Sequence, residues 1–342
     1  MGKNKILWSI LFLVFAALTL VAVVSQSKNF SPDIMVRLFE DSNKGWLCLA
    51  FISMFGYIFF EGFALVRMAR RLGYRVSAIN GMTYGGADVY FSAITPSATG
   101  GQPASAYFMI RDGIAPSMVA VMLLINLVMY TAALLITAVC VVVFGHHIFF
   151  GFSLVGKILI GVGGVILAGL MFGFFLLLKK TSFLHNIFDK LLSFLVKIHV
   201  IRQYERRKAQ LENTMREYKE CSDFIFGRGR LLAEVLVWNL LQRISYLLVI
   251  FMVFMATNNG IIKAIKAMEI QSLVTVGSNC IPVPGAMGVA DFLMIDGLGQ
   301  ILNADSVVAM ELICRGMTFY SSVIVGLFVV IIGYLRRKEK KN

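Results

Sequence analysis

Six stretches of this chain are apolar over about 20 residues, the length a helix needs to cross a hydrocarbon core roughly 30 Å thick. They run over 6–24, 46–66, 117–144, 152–178, 231–256 and 306–334. Lys3 and Lys5 precede the first run as they would in a secretory signal. That run is too long for a signal and no small-residue cleavage site follows, so it is expected to remain as a helix. A composition 58% hydrophobic and only 15% charged, with a mean hydropathy of +0.79, fits a chain that lives in a bilayer.

Two further stretches are apolar but broken. In 81–110 the centre reads TPSATGGQP: Pro96 and Pro103 remove backbone donors, Gly100 and Gly101 favour a turn, and Ser97 and Thr99 are placed to take freed backbone groups. In 268–300 the chain breaks at CIPVPGAMG, 280–288, and four of the six prolines fall in these two breaks. Irregular backbone at membrane depth survives only where protein or a water-filled cavity satisfies it, so both breaks are expected inside the bundle, between arms too short to span.

The net charge of +13 gives topology, because the Lys and Arg do not form a patch interleaved with exposed aromatics and no nucleic-acid partner is implied. With a cytoplasmic amino terminus, the inner segments hold Lys3, Lys5, the Arg67/Arg70/Arg71/Arg75 cluster, Arg111, the twelve Lys and Arg of 179–230 and the five after 334. That is 24 of 32, against six on the outer side (Lys28, Arg37, Lys44, Lys157, Lys263, Lys266), as the positive-inside rule requires. The expected fold is an all-α polytopic membrane protein of six full spans and two re-entrant hairpins, 81–112 and 268–300, entering from opposite faces. Their positions predict an inverted-topology repeat, 1–148 and 149–342, with both termini cytoplasmic. The basic insert 179–230 is expected to form helices lying near anionic headgroups, with a partner-docking role as the other reading.

Charged groups inside spans are costly and are candidates for function. Arg243 has no acid one turn away, so its fork of donors is free for another helix or an anion. Glu311 and Arg315, four apart, share a helix face and are expected to pair. Asp291 and Asp296 follow the second break, and Asp88 lies in the first arm. Glu61 and Glu234 are placed near the inner ends of their spans, where snorkelling is expected. Half-helices starting near Pro103 and Gly285 would aim positive dipole ends inward, suited to a phosphate. Small residues at Gly164/Ala168 and Gly169/Gly173 have the spacing for close helix packing. Neither the five cysteines nor the four histidines are spaced as a disulfide framework or metal site, and no cofactor is implied.

The segments ITPSATGGQPASAYFMIRDG (94–113) and IPVPGAMGVADFLMIDGL (281–298), followed by a span holding Arg315, resemble the lysylphosphatidylglycerol synthase transmembrane family, also called the flippase-like domain family. In that family the membrane unit can be joined to a soluble aminoacyltransferase that attaches lysine to phosphatidylglycerol, and the membrane unit is held to move the lipid to the outer leaflet. The chain ends at RRKEKKN after its last span, so the membrane unit alone is expected. The resemblance marks Pro96, Gly100, Gly101, Gln102, Pro103 and Arg111 in the first motif, and Pro282, Pro284, Gly285, Gly288 and Arg315 in the second region. The chain departs from the pattern at Ala286, where the family often has glycine, and at Asp291, where it often has Glu.

The leading expectation is a translocase of an anionic, aminoacylated or polyprenyl-phosphate-linked lipid in a bacterial plasma membrane. Arg111, Arg243 and Arg315 would hold phosphate, while Asp88, Asp291 and Glu311 would balance charge, hold a cationic headgroup or carry a proton. Two other readings stand beside it. One is a lipid-modifying enzyme, a phosphatidylglycerol lysyltransferase by family or a lipid phosphatase, although the basic insert is too small for an aminoacyl-tRNA site and no nucleophile or metal constellation flanks the breaks. The other is a membrane partner of a separate lipid-modifying enzyme.

Overall fold

A computed structural model of the chain describes residues 40–95, 98–179 and 204–339. The first expected span, 6–24, the apolar part of the insert at 183–194, and Pro96 and Ser97 lie outside the described residues. Among the described residues twelve α-helices follow one another: α1 (Lys44–Arg71), α2 (Ala78–Ile94), α3 (Gly101–Arg111), α4 (Pro116–Phe144), the short α5 (His146–Gly151), α6 (Leu154–Lys179), α7 (Tyr204–Phe226), α8 (Gly229–Ala256), α9 (Ile261–Ser278), α10 (Val289–Leu298), α11 (Ala304–Arg315) and α12 (Ser321–Glu339). A π-helical turn, Gly316–Tyr320, joins the last two into one apolar stretch, Ser306–Lys338. That stretch, with α1, α4, α6 and α8, makes five helices long and apolar enough to cross a membrane, and no strand occurs among the described residues.

Local chemistry sets the helix ends. Asn43 caps α1, its side chain accepting the Gly45 N–H at 3.0 Å, and Gly73 at φ +92° releases the chain after Arg70 and Arg71. Ser77 caps α2 by accepting the Asn80 N–H at 3.2 Å. Gly113 at φ +91° turns the chain out of α3, and Pro116 opens α4 in the first turn, where its missing N–H costs nothing.

Glycines bring the first hairpin arm against its neighbours. A Cβ at Gly62 of α1 would fall 1.8 Å from the Gly81 carbonyl oxygen of α2, and one at Gly85 would fall 2.3 Å from that of Ile58. On its other side α2 meets α12, where Cβ atoms at Gly86 and Gly333 would strike Val329 and Thr83. The stripe on α6 works differently from its spacing. Gly169 and Gly173 face open space and Gly164 makes only ordinary contact, whereas a Cβ at Gly163 would lie 2.3 Å from the Val276 carbonyl of α9. Helical spacing marks a face, but only the partner backbone decides which glycine on it is indispensable.

The core is split. One large apolar cluster joins Met54, Leu134, Phe152, Val253 and Leu293; another joins Leu65, Phe108, Met122, Ile225 and Val235; a small third joins Ile58, Val89 and Val325. Between the two larger ones each of three helices turns polar: Glu61 on α1, Asn126 on α4, and Asn239, Gln242 and Arg243 on α8, all at most 2% exposed.

Side-chain contacts tie the bundle at both ends. At one end Arg67 of α1 pairs with Glu234 of α8 at 2.5 Å. There too Arg337 of α12 takes both Asp112 carboxylate oxygens at 2.7 and 2.6 Å, while the Tyr84 hydroxyl donates to the same carboxylate at 2.6 Å. α7, the described part of the basic insert, seats here: Ser117 donates to Glu217 at 2.6 Å and Ser222 to the Leu178 carbonyl at 2.9 Å. Burial beneath α7 pushes the Cys221 thiol up to about 12, so it packs as an inert apolar group. At the opposite end Asp296 accepts from the Ser153 hydroxyl at 2.8 Å, and the Asn43 N–H donates to the Ala256 carbonyl at 2.9 Å.

The α1–α2 crossing leaves no room for a methyl group, so Gly62→Ala is expected to destabilise the detergent-solubilised protein by roughly 2–3 kcal/mol, the scale of core overpacking. Gly161→Ala on α6, where nothing lies within 4 Å, is expected to be neutral or slightly stabilising. Thermal melts of the two variants measure the contrast.

Candidate functional site

Between the two larger apolar clusters lies a cavity of about 640 Å³ whose walls include both helix breaks. At the first break, 95–100, Thr95 accepts the Gly100 N–H at 2.8 Å and donates to the Phe91 carbonyl at 2.6 Å, and the Ser92 hydroxyl donates to the Ala98 carbonyl at 3.3 Å. Thr95 was not among the residues expected in that role, and Ser97 lies outside the described residues. In the second, 279–288, Gly285 and Gly288 take φ of +60° and +85°, and Ala286 takes +50°. Ala286 is the position where the family often has glycine, and the left-handed backbone explains why glycine suits it.

Both half-helices that start after the breaks meet a carboxylate of the chain itself. At α3, a Cβ on Gly101 would lie 2.4 Å from Asp88 Oδ1 and 2.1 Å from Ser92 Oγ, so only glycine lets the Asp88 side chain sit against that first turn. At α10, Asp291 at the third position of the helix reaches back and its Oδ2 accepts the Gly288 N–H at 2.8 Å. The free anion sites expected at these ends are therefore already faced by side-chain oxygens.

Arg315 holds the second break in place. Its Nη2 donates to the Gly285 carbonyl at 2.8 Å, its Nε lies 3.1 Å from Asp291 Oδ1, and its guanidinium lies over the Phe319 ring at 5.0 Å. The expected Glu311–Arg315 pair does not form, because Asp291 approaches from the facing helix and the Gly285 carbonyl adds a second acceptor that one turn of α11 cannot match. Glu311, 5% exposed, stays on the cavity wall.

Arg243 stands at the other side. Buried to 2% exposure, it donates from Nη2 to the Tyr130 hydroxyl at 2.8 Å and lies 5.1 and 5.2 Å from the Tyr130 and Tyr246 ring centres. None of the ion pairs among the described residues involves Arg243, and its Nε has no hydrogen-bond partner there. Its charge faces the cavity beside two tyrosine rings, with Glu61 within electrostatic range but not in an ion pair.

Of the residues singled out in the sequence, Asp88, Gln102, Arg243, Gly285, Glu311 and Arg315 line the cavity. Gly100, Gly101, Gly288 and Asp291 shape its wall without lining it. Pro103 and Pro282 are exposed, and Pro284 sits in the short turn Pro284–Ala286. Arg111 does not reach the cavity; it lies at the end of α3, donating to the Tyr107 hydroxyl at 3.3 Å and lying over the Tyr334 ring at 5.1 Å. Glu61, expected to reach the interface from the inner end of its span, is instead buried. It does not snorkel: it accepts the Asn126 amide at 2.6 Å on the cavity wall. The wall also carries apolar side chains, Ile166, Leu170 and Phe174 of α6 among them, beside neutral polar groups such as Gln242, Gln271 and Thr275.

The apolar helices define a multi-pass membrane protein with a polar-lined cavity within the bundle. Residues 6–326 match the family of the lysylphosphatidylglycerol synthase transmembrane region, and the chain belongs to that family. No curated protein matches it.

Relief of the left-handed alanine is directly measurable. Ala286→Gly is expected to raise stability by roughly 0.5–1 kcal/mol, the αL penalty less the greater unfolded-chain entropy of glycine. A higher melting temperature in detergent is the expected readout.

Proposed function

We propose that this chain translocates a phospholipid across a bacterial plasma membrane, with its amino terminus on the cytoplasmic face. The carrying observation is a chamber between two opposed helix breaks that combines guanidinium groups from two helices with an apolar wall on α6. An anionic lipid needs both kinds of surface, since phosphate calls for Arg donors and acyl chains for hydrocarbon. In this reading α2/α3 and α9/α10 are re-entrant hairpins of two inverted repeats, 1–148 and 149–342, and 6–24 supplies the sixth span.

The chemistry of the walls supports a division of labour. Arg243, with no carboxylate partner among the described residues, is the phosphate anchor. Arg315 is tied to Asp291 and the Gly285 carbonyl, so a phosphate reaching it would exchange with those partners and loosen the second break. Lipid arrival would then be felt by the irregular backbone, and rocking of one repeat against the other would change the face to which the chamber opens. The tied ends of the bundle, Asp112–Arg337 and Asp296–Ser153, are the contacts such rocking would make and break in turn.

Purified protein reconstituted into vesicles with a headgroup-labelled phospholipid tests the reading. Wild-type protein is expected to speed leaflet exchange over empty vesicles, and Arg243→Ala and Arg315→Ala to lower it by ~10- to 100-fold, the scale of one charge-assisted contact. Exchange by wild-type protein no faster than in empty vesicles would contradict it.

A further inference from the structure

The chamber holds more acceptors than donors on its Glu61 side. Glu61 is 2% exposed; its Oε1 accepts from Asn126, and its Oε2 has no hydrogen-bond partner among the described residues. The Asn126 amide is oriented by Asn239, whose Nδ2 donates to Asn126 Oδ1 at 3.1 Å, so Asn126 presents its NH₂ to Glu61. From α2, Asp88 lines the same chamber with a buried and unpartnered Oδ1. Gln242, 1% exposed, contributes another unpartnered oxygen, Oε1.

The nearest cation does not answer these oxygens. Arg243 directs Nη2 to the Tyr130 hydroxyl and lies against two aromatic rings, and no ion pair among the described residues joins it to Glu61 or Asp88. The charged and titratable groups around Glu61 are Tyr57 on its own helix, Asp88 from α2, Tyr130 from α4, and Arg243 and Tyr246 from α8. On the far wall Arg315 is engaged with Asp291, leaving Glu311 without an ion pair. Two carboxyl groups against one guanidinium leave an excess negative charge in a low-dielectric interior, which costs several kcal/mol unless it is compensated.

We propose that Glu61 and Asp88 form a binding site for a small monovalent inorganic cation, a proton or a sodium ion, whose occupancy drives the movement of the first hairpin. The position of the pair gives the coupling. Glu61 adjoins Gly62, where α1 and α2 come into backbone contact, and Asp88 sits one turn beyond Gly85 on the opposing helix. When the site is empty, two carboxylates repel across the close crossing of α1 with α2, the first arm of the hairpin; when it is filled, they are drawn together. Asp88 also faces the first turn of α3 through Gly101, so the same event reaches the first break. Cation binding stands on the geometry alone, whereas the coupling rests on the translocase reading.

The test uses the protein in lipid nanodiscs, with sodium and protons as the two probes. Melting is compared in sodium chloride and in choline chloride of equal strength, and infrared difference spectra follow the protonated-carboxyl band through a pH titration in choline. Wild-type protein is expected to give either a saturable sodium-dependent rise in melting temperature or a titrating carboxyl band within the physiological range. Glu61→Gln, which keeps the shape of the side chain, should abolish that response while still melting cooperatively, and Asp88→Asn should weaken the apparent affinity ~10-fold. Neither response in wild-type protein, as for a chamber merely filled with water, would overturn the site; so would a response that survives unchanged in both variants. Leaflet exchange is a separate assay, so a protein that binds the cation but moves no lipid contradicts the translocase and leaves the cation site standing.

Discussion

A backbone N–H or C=O group in hydrocarbon has no water to turn to, and each one left unpaired costs several kcal/mol. Two of the helix breaks among the described residues, at 95–100 and 279–288, border the chamber, and the surrounding helices supply partners there. Thr95 takes the Gly100 N–H, Asp291 the Gly288 N–H and Arg315 the Gly285 carbonyl. Two of these three partners are charged side chains, which need polar surroundings of their own. The polar chamber follows from that need, and it separates two apolar cores that would otherwise merge.

A divided core has a mechanical consequence. Each apolar cluster packs as a unit, while the layer between them is held by hydrogen bonds and aromatic contacts that can exchange partners without opening hydrocarbon to water. Glycine crossings on both sides of α2 add to this, since helices in backbone contact slide or tilt with few side chains to repack. In the proposed cycle the contacts at the bundle ends would act as stops, and a ligand that alters charge in the middle layer would shift the balance between them.

The helices were legible from apolar run length, and the breaks from Pro and Gly, because both signals are local. Glu61 was misplaced for an equally local reason. The apolar run ends at 66, which puts Glu61 near the edge, but α1 continues through Arg67, Arg70 and Arg71, whose long stems reach the interface and extend the helix beyond its apolar run. Glu61 therefore lies deeper than the run length implies. Arg315 shows a second limit: its i−4 acid was visible, yet the acid it pairs with comes from a different helix. The glycines of α6 show a third, since Gly163 differs from Gly164 only in what α9 places opposite it. Arg243 was legible as free of local acids, and its tyrosine surroundings were not, because they come from α4 as well as α8.

The account stands on the chamber between the breaks as the seat of a lipid headgroup. A density map of the protein in phospholipid nanodiscs tests this most directly. It should show a phosphate within hydrogen-bonding reach of Arg243 or Arg315, with acyl chains leaving past Ile166, Leu170 and Phe174. Lipid phosphates confined to the outer perimeter, with only water in the chamber, would contradict it.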